Sequence, residues 1–221
     1  EVFFYGAGLS ANGQKMRIKK MLQTRFENAA LNVEHDLLGA ARALSGNHPC
    51  IASIMGTGSN SCAYDGINII ANRPSMGFIL GDQGSGAHIG KSLLSYIWNL
   101  EVDHPIRQNF EAEFSLDFDS CIKQLYSGPK PNRYLAQFAP FALKNTQDKE
   151  VRSLLNKSFS RFFESHVMAY PEHKDWEMNA LGSVAKFFEI IWRPLAEERG
   201  IRVNKVLASP IDALTEYHLN S

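Results

Sequence analysis

Two rhythms of apolar residues run along this chain. Ile51 to Met55 is a short, mainly apolar run that closes on Gly56-Thr57-Gly58-Ser59-Asn60, and Met76 to Leu80 has a similar form before Gly81-Asp82-Gln83-Gly84-Ser85-Gly86. Runs of this length bounded by glycine predict buried strands. After the second turn, Ile89, Leu93, Ile97 and Leu100 fall four, four and three apart. That spacing predicts a helix whose N-terminus points back at the turn. Asn60–Tyr64 and Asn68–Ala71 extend a strand meander, with Asp65-Gly66 as its tight turn.

The remaining pattern alternates strands and helices. Glu1–Tyr5 reads as a strand ending at Gly6-Ala7-Gly8, and Gln14 to Leu31 as an amphipathic helix with a solvated basic face. A strand at the first residue predicts further chain upstream. Leu31–Val33 is a short apolar stretch, and Asp36 then precedes a helical run with Leu37, Leu38, Ala41 and Leu44 on one face. Ser45–Pro49 breaks the pattern. Residues 91–145 read as helical, broken at Pro105, Gly128-Pro129 and Pro131, and Asp148–Tyr170 is the most periodic helix. Asp175–Gly182 predicts a strand, then a helix with Val184, Phe188, Ile191 and Leu195 inward. Ile201–Ala208 is the last strand, and Ser209-Pro210-Ile211-Asp212 starts a final helix with Ser209 as N-cap. The order is mixed α/β.

Composition narrows the function. The 221 residues suffice for one large domain or two small ones. Lys plus Arg and Asp plus Glu both number 23, so no global field favours nucleic acid or an anionic membrane. No apolar run approaches a bilayer span, and no signal-peptide pattern is visible. Cys50, Cys62 and Cys121 form an odd, sparse set without CxxC spacing, which argues for a reducing compartment and against a zinc site. Cys50 and Cys62 read as small core hydrophobes. Phe110, Phe114, Phe118, Phe138 and Phe141 read as core rather than as a stacking platform.

The glycine turns are the candidate chemistry. Glycine lets a ligand approach the main chain, and Thr57, Ser59 and Asn60 add small donors, so such a turn can hold phosphate oxygens. No Gly-Lys-Ser/Thr follows, which excludes a Walker A loop, and GDQGSG lacks the start of a dinucleotide fingerprint. Asp36 by its position alone reads as a helix N-cap. His35 reads as a helix-start neighbour and His88 as a helix-surface residue.

GTGSN followed by GFILGDQGSGAHIG, with VEHDLLGAARAL before and GSVA and SPIDALTEYH after, is similar to the N-acetylglucosamine kinase family. It also resembles the related activator ATPases of benzoyl-CoA reductase and 2-hydroxyacyl-CoA dehydratase, the BadF/BadG/BcrA/BcrD group of the actin-like and sugar-kinase superfamily. The resemblance covers most of the chain. It implies an RNase H-like (actin-like ATPase) α/β fold of two domains around a cleft. Residues 1–47 would be the end of a first domain, rejoined by a helix in 209–221, and residues 48–208 the second. The family's Asp-Gly-Gly-Gly-Thr-Lys hairpin, which opens the first domain, is absent from these residues.

The resemblance also implies roles. Asp36 would be the catalytic base on the sugar hydroxyl. Gly56, Thr57, Gly58 and Ser59 would hold ATP phosphates, and Gly182 and Ser183 the adenosine. Asn60, Gly77, Phe78, Asp82 and Gly86 would contact the sugar, with Asp82 also reaching toward magnesium through an intervening group and no residue assigned as a direct metal ligand. ATP and Mg2+ would be required. The partners would be a small sugar and ATP, with neither nucleic acid nor membrane, in the cytoplasm, and a homodimer is compatible. Phe78 stands where many relatives have Trp, Gln83 where they have Glu, and Ala87-His88 where an aromatic is common; these bear on the sugar rather than the reaction. Ala213 replaces a usual Gly in the last helix. Two other readings stay open: a reductase-activating ATPase carrying an iron–sulfur cluster between two subunits, and a non-catalytic sugar or nucleotide sensor.

Overall fold

The computed structural model describes residues 1–9 and 12–220. Two sheets organise them. In the first, β1 (Val2–Gly6) pairs in parallel with β2 (Leu31–His35), and α1 (Asn12–Gln23) connects them. The chain then passes directly into α2 (Asp36–Ser45). The second sheet has five strands in the order β5-β4-β3-β6-β7. β3 (Cys50–Met55), β4 (Ser59–Tyr64) and β5 (Ile69–Arg73) form an antiparallel meander. β6 (Met178–Leu181) and β7 (Val203–Leu207) add to the other edge of β3 in parallel.

Alternation along β3 assigns the two faces of this sheet. Ile51 and Met55 join the large core beneath α4 (Gly86–Trp98) and α9 (Lys149–Phe162), whereas Cys50 and Ala52 join a smaller core with Leu37, Ala41 and Leu44 of α2. Four helices connect α4 to α9: α5 (Pro105–Phe114), α6 (Phe118–Ser127), α7 (Pro131–Ala136) and α8 (Ala139–Lys144). Pro105 and Pro131 therefore end one segment by starting the next helix, where a missing N–H is harmless. Phe110, Phe138 and Phe141 are buried and in ring contact, Phe114 packs against them, and Phe118 is exposed. Cys50, Cys62 and Cys121 are buried and free. Burial raises the Cys50 and Cys62 thiols, keeping both protonated. The Asp65-Gly66 turn forms as expected, with Asp65 Oδ1 accepting from the Ile67 and Asn68 N–H groups and Gly66 at φ 102°.

Four expectations change. The helix from Gln14 stops at Gln23 rather than continuing to Leu31, because Leu31 must pair with Val2. Gln23 marks the exit by donating to the carbonyls of Phe26 and Glu27. Met76–Leu80 is not a strand. The sheet ends at β5, and an unpaired strand would leave its backbone groups without partners. Gly77 instead takes φ 70°, the Gly81 N–H bonds back to the Gly77 carbonyl, and the short helix α3 (Gly77–Leu80) leaves Ile79 and Leu80 exposed.

The helix after Gly182 is split into α10 (Ser183–Phe187) and α11 (Glu189–Glu197). The buried Trp192 indole N–H donates to the Ala185 carbonyl at 2.7 Å, the acceptor that Glu189 would use in an unbroken helix. Val184, Phe188 and Ile191 still face inward. The final helix, α12 (Ile211–Leu219), follows a Pro210 already in helical conformation, and no side chain caps it. It packs on α2 and on β1, where His218 stacks on Phe3 and meets the Tyr5 hydroxyl at 2.8 Å.

Candidate active site

The two glycine turns are bonded into one unit. The Gly86 N–H donates to the Gly56 carbonyl at 2.8 Å and the Ala87 N–H to the Thr57 carbonyl at 3.1 Å. The Ser85 side chain caps α4 through the His88 N–H. The first three N–H groups of α4 are thus spent on fixing the turns, and its N-terminus offers no site for an anion. By contrast, the Thr57 and Gly58 N–H groups donate to no acceptor among the described residues.

Asp82 closes the unit. It is buried, yet its backbone lies at φ 56°, in the left-handed region that strains a non-glycine residue. Its Oδ1 accepts from the Ser75 hydroxyl at 2.8 Å and, more weakly, from the Ser59 N–H at 3.4 Å. Oδ2 accepts no hydrogen bond from the described residues. A Cβ on Gly58 would stand 3.0 Å from Oδ2, so any larger residue would push the carboxylate back from the first turn by a few tenths of an ångström. The Ser59 hydroxyl ties the other side by donating to the Gln83 carbonyl.

Asp36 faces this unit from the first sheet. It is the first residue of α2, not its N-cap: His35 takes that place, its Nδ1 lying 3.1 Å from the Leu37 nitrogen. Asp36 Oδ1 lies 2.9 Å from the same nitrogen and 3.0 Å from His35 Nδ1. A cleft of about 460 Å³ brings together Asp36, Asp82, Asn60 and the Gly56–Ser59 turn, with His35, Ser75, Asn72 and the Gly8 turn completing its wall. Asn60 and Asn72 are joined at 3.1 Å. A larger hollow of about 620 Å³, between α2, α12 and the β6–β7 edge, contains none of the candidate residues.

The other candidates lie outside the cleft. Gly86 is buried against Ala136 and the Gly56 carbonyl. Phe78 packs on the large core and its carbonyl accepts from Lys91, while Gly77 provides the turn of α3. Gly182, at φ 123°, lies directly behind the first turn: a Cβ there would come 2.3 Å from the Met55 carbonyl oxygen and 3.3 Å from the Gly56 nitrogen. Ser183 is exposed at the start of α10.

Behind Asp82 lie two neutral imidazoles. His88 is not a surface residue. Its Nδ1 bonds Ser158 Oγ at 2.8 Å, and that hydroxyl also accepts from the Gly84 N–H. Burial, reinforced by Lys91 and Arg161, pushes the His88 imidazole down to about 4. His166 sits where α9 widens into a π-turn over Phe163–Val167, and burial lowers it too. Its carbonyl accepts from the Ser61 hydroxyl, which also meets Tyr170. Pattern reading had no means to find this support, since Ser158 and His166 come from a helix more than seventy residues away. His35 and Ser75 do lie next to or near singled-out residues, and polar side chains flanking a candidate carboxylate are the signal available.

A parallel sheet joined to a five-stranded sheet, with a carboxylate and a glycine turn facing across the cleft between them, defines the actin-like ATPase fold of sugar-kinase type. Over its whole length the chain superposes on the "Putative N-acetylglucosamine Kinase" of Porphyromonas gingivalis with a TM-score of 0.95 and 36% identity, covering 77% of that protein. The chain belongs to the same family as that protein. A second solved structure, the "Putative N-acetylglucosamine Kinase" of Chromobacterium violaceum, matches 90% of this chain and 71% of its own at TM-score 0.67 and 18% identity, a likeness of fold. No protein-family model and no curated protein matches the chain. Among the described residues no helix is long and apolar enough to cross a membrane.

Proposed function

We propose that this protein is an ATP-dependent sugar kinase that moves the γ-phosphoryl group of Mg-ATP to a hydroxyl of N-acetylglucosamine or a related amino sugar. Membership of the BadF/BadG group, a cytoplasmic location and a division into residues 1–47 with 209–221 and residues 48–208 belong to the same reading. The observation that carries it is the single cleft holding Asp36, Asn60, Asp82 and a glycine turn with two unspent N–H groups. The name of the Porphyromonas gingivalis relative supports the same substrate class.

In this reading Asp36 orients the acceptor hydroxyl and takes its proton as the new O–P bond forms and the bond to ADP breaks. The Thr57 and Gly58 N–H groups receive phosphate oxygens, and Gly182 and Ser183, behind that turn, contact the adenosine. Asn60 and the unbonded Oδ2 of Asp82 hold sugar hydroxyls. Gly77, Phe78 and Gly86 would act from outside the cleft, Gly86 by bonding the first turn through its N–H. Magnesium arriving on ATP would neutralise phosphate charge and needs few protein ligands. Among the described residues no group of three His, Cys, Asp or Glu would cage a metal, and Asp82 Oδ2 is suited to hold a metal-bound water.

A coupled ADP-release assay on the full-length protein tests this, with N-acetylglucosamine, glucosamine, glucose and no sugar. Release that depends on an amino sugar is expected. Sugar-independent hydrolysis would favour the activator ATPase, and no hydrolysis with retained ligand binding would favour the sensor.

A further inference from the structure

The N-terminus of α2 is built with an unusual cap. Ser, Thr, Asp, Asn and Gly dominate N-cap positions, because a short oxygen-bearing side chain or none suits the geometry. Here the cap is histidine. Three atoms form a close triangle: His35 Nδ1, Asp36 Oδ1 and the Leu37 nitrogen, with sides of 3.0, 2.9 and 3.1 Å. Leu37 brings one proton to this triangle. The 3.0 Å contact between Nδ1 and Oδ1 would set two lone pairs against each other unless a proton lies there as well, and the imidazole can supply it by carrying its hydrogen on Nδ1. Oδ1 then accepts twice, from His35 and from Leu37, Nδ1 no longer accepts from Leu37, and Oδ2 has no hydrogen-bond partner among the described residues.

His35 also occupies a boundary. It lines the cleft beside Asp36 and Asp82, and on its other side it lines a separate hollow of about 320 Å³ beside Lys15 and Glu34. Lys15 and Glu34 are paired to each other at 2.6 Å, so of the charged groups around His35 only Asp36 is in contact with it. The imidazole is about a quarter exposed, at 23%.

We propose that His35 is the positioning residue of Asp36: its Nδ1–H holds Oδ1 and leaves Oδ2 as the oxygen of that carboxylate free to act as a base. This rests on the kinase reading for its consequence in turnover, but not for the pairing itself.

The test compares His35→Gly and His35→Asn in the full-length protein. Glycine is tolerated at an N-cap and brings no side-chain donor to Asp36. Asparagine can cap, and its amide N–H stands near the place of Nδ1–H. The expected result for His35→Gly is a nearly unchanged urea midpoint, a sugar KM within about twofold, and a kcat lower by about 10- to 100-fold, part of the ~10²–10⁴ that a positioned base supplies. His35→Asn should recover a measurable share of that loss. Equal, wild-type kcat in both variants would reduce His35 to a helix cap and overturn the proposal. An independent arm needs no turnover: the ¹⁵N resonance of His35 Nδ1 should move on Asp36→Asn. A resonance that stays in place would also overturn the pairing, and a wild-type protein without sugar-dependent ADP release would instead sink the kinase reading alone.

Discussion

A methyl group at residue 182 probes how the ends of β3 and β6 are held together. Gly182 sits at φ 123°, and an added Cβ would come 2.3 Å from the Met55 carbonyl oxygen and 2.8 Å from its carbon. Two costs follow. Holding an L-residue at a positive φ of this kind costs about 1–3 kcal/mol. The contact is about 1 Å shorter than an ordinary C···O approach of about 3.3–3.6 Å. The atom met is backbone, so β3 and β6 must separate in a packed interior, at about 1–3 kcal/mol. Gly182→Ala should therefore destabilise by about 2–6 kcal/mol. Gly200→Ala is the control for a positive φ without close approach, since Gly200 has φ 73° and open space around its Cβ position; its backbone cost is smaller than that of Gly182 at φ 123°, ψ 167°. Urea denaturation of both variants measures the difference. Equal losses would refute the idea that close approach, rather than φ, demands glycine at 182. Because the displaced atoms adjoin Gly56, folded Gly182→Ala should also lose turnover, by up to about 10²-fold for a 1 Å shift.

Further outcomes follow from the same contacts. Asp36→Asn should keep sugar binding by calorimetry and lose about 10²–10⁴ in kcat; unchanged turnover would remove Asp36 from the reaction. The lowered His88 imidazole is neutral in the fold, so stability is full above the ordinary histidine range, near ~6.5, and declines as pH falls toward about 4 while the unfolded chain takes up the proton. His88→Asn, which can still bond Ser158, should flatten that acid-side decline in urea midpoints, and an unaltered slope would count against it. Asp148 caps α9 by accepting from the Glu150 and Val151 N–H groups, so Asp148→Ala should cost about 1–2 kcal/mol in the same assay.

Local signals carried much of this fold. Ile51–Met55 is a strand because an apolar run ended by Gly-Thr-Gly is too short to be a helix, and the 3.6-residue spacing of Ile89, Leu93 and Ile97 buries one face whatever lies opposite. The Asp65-Gly66 turn and the buried cysteines were likewise legible, since both depend on the residue's own chemistry. The resemblance carried by GTGSN, GDQGSG and HDLLGAARAL pointed to the family before any coordinates.

What depends on partners distant in sequence was not legible. Met76–Leu80 has the composition of a strand, but a strand needs a neighbour to accept its hydrogen bonds, and the sheet had already ended. The N-terminus of α4 carries the pattern of an anion site, yet carbonyls thirty residues earlier consume its N–H groups. By position alone Asp36 reads as a cap and only the resemblance marks it as a base; the coordinates put His35 at the cap position and Asp36 in a cleft with Asp82. By itself the sequence determined the periodic elements, the glycine turns and the family. Tertiary structure decided which hydrogen-bonding groups are already paired and which remain for a ligand, because that is settled by contacts between segments far apart along the chain.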